Sequence, residues 1–183
     1  MSNLYLPPCP TTCSGALGDV DFDDCAPENH WGEISKIYIG PTTLSDFLNV
    51  ASITEWNTRL SDTADDKIRT LIVIGEQKEA ATTEVPTSGD RVAIGFRTRT
   101  VDFVIDETND TNYAFHQMLE CGGKFKLWYE TSDGLLFGGN TGVEASVKTN
   151  YIIPKERTAI VTITGTATWK SLRSPGRCVS PLY

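Results

Sequence analysis

The chain has 183 residues, 39% of them hydrophobic and 22% charged, and a formal net charge of −8. That length and aromatic content suit one globular domain with a real core, and they exclude an intrinsically disordered chain. No apolar run reaches the roughly 20 residues of a membrane-spanning helix, and a net acidic chain without a basic stripe lacks the phosphate neutralisation needed to wrap nucleic acid from outside.

Residues 1–33 show neither a helical nor a strand period, only Pro, Gly, Cys, Asp and short polar pieces, and read as an extended N-terminal arm. The opening has no basic segment followed by a continuous apolar one, so no secretory signal is expected and the default compartment is a reducing cytosol. Five cysteines scattered at 9, 13, 25, 121 and 178 do not form a disulfide framework in that setting. The spacing of Cys9, Cys13, Cys25 and His30 superficially fits four zinc ligands, but the last two are a loose pair separated by a proline, and no metal or cofactor is expected. A disulfide among the three cysteines, or free thiols buried as small apolar side chains, are the other readings of the same residues.

Ile34 to Ile39 reads as a first strand ending at Gly40-Pro41. Leu44, Phe47, Leu48, Ala51, Ile53, Trp56 and Leu60 fall at broadly helical spacing, which predicts a helix capped by Thr43 or Ser45. The run IRTLIVIG, from Ile68 to Gly75, suits a buried strand, and the polar stretch from Gln77 to Asp90 a loop or a long hairpin. In RTRTVDFVI, residues Arg97, Arg99, Val101, Phe103 and Ile105 share one face, so the two ends of that strand meet different surroundings. Asn109-Asp110-Thr111 matches a glycosylation sequon but is better explained as the cap of a helix that stops at Gly122-Gly123. Within it, His116 beside Phe115 and Met118 is expected to be a packing histidine. KFKLWYE alternates and leads through Asp133-Gly134 into a hairpin. Val143 to Ile153 is another strand, and AIVTITGTATW alternates apolar residues against Thr162, Thr164, Thr166 and Thr168. Residues 171–183 read as an unpatterned tail.

The expected class is therefore α+β, mainly antiparallel β: a sandwich or barrel-like sheet over residues 34–170 with one or two helices and extended termini. No nucleophile elbow, zinc-helix motif or phosphate loop is present, and Cys121 lies on a different helical face from His116, so an enzyme is not expected. Residues 1–35 carry six acids and no Lys or Arg, whereas from Ala145 onward six bases face only Glu156. Such asymmetry suits contact between copies, with Asp21, Asp23 and Asp24 meeting Lys170, Arg173 and Arg177 of another chain, and Phe22, Trp31 or Tyr183 as apolar anchors. Two solvated ends of opposite charge would read the same way.

The order RTRTVDFVI, capped helix TNYAFHQMLECGG, hairpin KFKLWYETSDGLLFGG and closing strand AIVTITGTATW resembles phage tail-tube and related tail proteins. DDCAPE followed by GEISKIYIG is similar to structural proteins of phages that infect Bacteroidetes. The resemblance implies a virion protein, assembled in the host cytoplasm, whose copies form a hexameric ring, with rings stacked into a tube and DNA only as passing cargo. Other tail or connector proteins would be its partners, and a portal-adjacent ring or head-completion protein would share these features. A carbohydrate-binding or cell-surface β-sandwich using Trp31, Trp128 or Trp169 is the competing class, and a small enzyme with an unrecognised site a third.

Overall fold

The computed structural model describes residues 30, 32–61, 67–88 and 91–183. The elements in chain order are β1 (Ile34–Pro41), α1 (Ile53–Ser61), β2 (Arg69–Gln77), β3 (Ala81–Thr87), β4 (Arg91–Ile105), α2 (Asp110–Glu120), β5 (Lys124–Thr131), β6 (Leu135–Phe137), β7 (Val143–Ile152), β8 (Thr162–Ser171) and β9 (Arg177–Val179). The strands run β1-β2-β4-β8-β7-β5, and β5 pairs back onto β1, which closes a six-stranded antiparallel barrel. β3 adds to β4 as a hairpin, and β6 and β9 extend from β5. Of the two shapes the composition allows, the chain thus takes the barrel.

Alternation fills the interior. Leu71 and Val73 of β2, Val101, Phe103 and Ile105 of β4, Leu127 and Tyr129 of β5, Ala145 and Val147 of β7, and Ile163, Ala167 and Trp169 of β8 form one buried cluster. On β1, Ile34 and Ile37 both face inward although three positions apart, because a bulge between Ile34 and Lys36 shifts the register against both β2 and β5. α2 begins at Asn109, whose side chain accepts from the Asn112 amide, as expected of a cap. It ends before Gly122 in the left-handed region, and it adds Leu119 to the barrel core.

A second core lies outside the barrel, on the outer faces of β1 and β5. Tyr38, Leu44, Phe47, Val50, Trp56, Ile68, Trp128 and Leu136 build it, with Trp56 and Trp128 edge to face at 5.8 Å. The segment covering it is where the expected helix fails: only Ile53–Ser61 is helical, and residues 42–52 are irregular. The amides a helix would have used are engaged elsewhere. Phe47 N donates to the Asn140 carbonyl at 2.8 Å and Val50 N to Asn140 Oδ1 at 3.0 Å, while the Leu48 and Asn49 amides donate to the Glu55 carboxylate. Leu48, assigned to the apolar face of that helix, is instead 90% exposed.

Of the loop and the long hairpin open to residues 77–90, the chain takes the hairpin, with residues 81–87 forming strand β3 against β4. Two further expectations change. β2 is buried on its inner face only, with Ile72 and Ile74 exposed outside. The C-terminal tail is structured: β9 pairs with β6, and the buried Ser180 is tied by its amide to the Gly134 carbonyl at 2.7 Å.

Candidate functional site

Buried polar groups are the first place to look for chemistry. Glu130, at 1% exposure, receives hydrogen bonds from Lys36 Nζ at 2.8 Å, the Tyr38 hydroxyl at 2.9 Å and Ser180 Oγ at 2.6 Å. Burial, with the carboxylate beside it, raises the Tyr38 hydroxyl far above its ordinary range. Every partner comes from another element of the same chain, so this carboxylate fastens β1 and the C-terminal segment to β5. His116 is buried with Nδ1 2.8 Å from Thr149 Oγ1 and Nε2 3.5 Å from Glu120, the packing role expected of it. Among the described residues there is no group of three or more His, Cys, Asp or Glu placed to hold a metal.

An open groove of about 620 Å³ lies between α2 and the start of β2, lined by Lys67, Arg69, Asp110, Asn112 and Met118 among others. It gathers no nucleophile with a base. No helix among the described residues is long and apolar enough to cross a membrane.

The most distinctive surface is a ribbon. β4 is 15 residues long, yet only Arg97 to Ile105 pairs with β8, and only Val101 to Val104 with β2. The preceding residues, 91–96, pair with β3 alone, so the ribbon that β3 forms with them runs on past the barrel wall by about 20 Å, at roughly 3.4 Å per residue. Val85 and Phe96 on it are 48% and 40% exposed. Among the described residues no strand pairs with the outer edge of β3 or of β9. Two-stranded ribbons are marginal alone, and an unpaired edge offers a row of amides and carbonyls to another chain.

At the base of the ribbon the barrel mouth is polar. Arg97 and Arg99 continue the inward face of Val101 and Phe103, opposite Ser171 and Trp169 of β8. Arg99 Nε donates to Ser171 Oγ at 3.0 Å, and the Tyr129 hydroxyl donates to Gln77 Oε1 at 2.6 Å. Burial raises the Tyr129 hydroxyl above its usual range, and the neighbouring Arg99 charge opposes that shift. Sequence reasoning placed these arginines on the apolar face without seeing that they close a mouth; the unbroken two-residue period from Arg97 through Ile105 was the available signal.

Of the expected contact residues, Lys170 lies in β8 opposite Thr98, Arg177 stands on β9 opposite Phe137, and Arg173 follows β8; all three are exposed. Tyr183 is exposed with its ring against Gly134. Asp21, Phe22, Asp23, Asp24 and Trp31 lie outside the described residues, as do Cys9, Cys13 and Cys25 of the zinc set that includes His30. Trp128 and Trp169, two of the three tryptophans a sugar platform would use, are buried in the outer and inner cores and offer no face.

No family model, no curated protein and no solved structure matches the chain.

Proposed function

We propose that this chain is a virion structural protein, a subunit that assembles with its own copies into a ring or tube of a phage tail. The observation that carries the reading is the ribbon of β3 and residues 91–96, which leaves the barrel with an open edge and exposed apolar side chains. Strand addition at such an edge supplies main-chain hydrogen bonds between copies, and pockets for Val85 and Phe96 supply register. Ile72 and Ile74 of β2, opposite Lys36 and Val104 at the far end of the barrel from the ribbon, leave a separate apolar area uncovered. In the arrangement implied by the resemblance, six copies close a ring and DNA passes through the stack. A net charge of −8 suits a passage that does not hold phosphates. Other tail or connector proteins would meet the ends of the stack, and the virion is its place of action.

The substitutions Val85→Asp and Phe96→Asp, made together, put charges on the ribbon and leave both cores untouched. Sedimentation velocity should show large assemblies of the unaltered chain and monomers of the variant, with unchanged circular dichroism. Equal sedimentation of the two would remove the ribbon from the account.

A further inference from the structure

The mouth of the barrel at the base of the ribbon holds more donors than acceptors. Arg99 is only 4% exposed, yet among the described residues no carboxylate pairs with it, and the one hydrogen bond shown for its side chain goes to a neutral hydroxyl, Ser171 Oγ. The buried Nε atoms of Arg97 and Trp169 have no hydrogen-bond partner among the described residues. Arg99 and Trp169 are direct cross-strand neighbours, and Arg97 follows on the same inward face, so the donors converge on one mouth. A buried charge without a counter-charge and two orphaned donors are each costly. An acceptor oxygen answers both orphaned donors, and one that carries negative charge also answers the unpaired guanidinium of Arg99.

We propose that the barrel mouth formed by Arg97, Arg99 and Trp169 is an oxyanion site, taking a carboxylate or phosphate group that accepts from the indole N–H and from the guanidinium groups. The planar forks of the two arginines match either group with paired hydrogen bonds, and the indole adds a donor in a fixed direction. Tyr129 stacks on Phe137 at 5.1 Å between ring centroids and lies 6.2 Å from the Trp169 ring, which gives the site an aromatic wall. The oxyanion can be a free small ion or a side-chain carboxylate of a second copy of this chain. The site stands on geometry independent of whether the chain builds a tail.

The test follows the indole N–H resonance of Trp169 in the full chain labelled at tryptophan nitrogen, assigned by its loss in Trp169→Phe. Titration with phosphate, and separately with acetate, should move that resonance saturably, whereas chloride at matched ionic strength should not. At tenfold over its dissociation constant the ion should also raise Tm by about 3–6 °C. Both responses should vanish in Arg99→Met, whose apolar side chain fills the same space without the unpaired charge. If a second copy supplies the carboxylate, the resonance instead shifts with protein concentration, and free phosphate reverses that shift. A resonance that moves with neither oxyanion nor protein concentration overturns the proposal, as does an equal response in Arg99→Met.

Discussion

The ring of Phe103 occupies the space a side chain at Gly165 would need. The two are cross-strand partners on β4 and β8, and a β-carbon at position 165 would stand 2.2 Å from Phe103 Cζ. Both strands face the barrel interior here, so the large residue is accommodated only because its partner has none.

Gly165→Ala should therefore destabilise the fold by about 1–3 kcal/mol or more through overpacking. Urea denaturation measures it. Adding Phe103→Leu should recover part of the loss, and a double variant no better than the single one would mean that the clash is relieved elsewhere.

The outer core depends on Asn140, which accepts from the Val50 amide and, through its main chain, from Phe47. Asn140→Ala leaves the partly buried Val50 amide unpaired and should cost about 1–2 kcal/mol. The loss should appear as faster hydrogen exchange in residues 44–52, with the strand amides of the barrel unchanged.

Glu130→Gln keeps the shape and removes the charge that Lys36, Tyr38 and Ser180 share. Hydrogen bonds to a charged group contribute about 1.5–3 kcal/mol, so a loss of about 2 kcal/mol is expected, with early proteolysis of the C-terminal segment that Ser180 fastens. Uniform protection of residues 177–183 in the variant would separate the carboxylate from that role.

Asp102 on β4 pairs with Lys78, and the hydrogen bond from the ammonium holds its carboxyl below the usual carboxylate range. A depressed folded-state value stabilises at pH above the unfolded carboxyl's ordinary value of about 3.9, and the contribution disappears as pH falls through the lower folded value. Lys78→Met should narrow the stability difference from the unaltered chain as pH drops below about 4. A difference that stays constant through that range would show the pair to be neutral.

The antiparallel strands were legible from period-two patterning in Val101 to Ile105, Leu127 to Tyr129 and Ile163 to Trp169, where each strand has one buried face; their closure into a barrel rather than a sandwich, set by the β1–β5 pairing, was not. The cap at Asn109 was also legible, because its chemistry is local. The irregular cover at residues 42–52 was not: its apolar residues repeat at helix-like intervals, but Asn140, some 90 positions away, takes the Phe47 and Val50 amides, and Glu55 takes those of Leu48 and Asn49. β9 was hidden because three residues paired to the short β6 carry no period of their own. Of the candidate surface, the charged C-terminal residues were visible in the composition. The ribbon was legible only as one of two alternatives, a loop or a long hairpin, since strands without a core-facing side carry no burial pattern to decide between them.

Whether copies of this chain join into rings or tubes is tested most directly by negative-stain electron microscopy of the purified protein over a range of concentrations. Annular particles with an open lumen, or tubes built from them, are the expected result, and they should be lost when Val85 and Phe96 are replaced by Asp. A field of dispersed single barrels at every concentration would contradict the account.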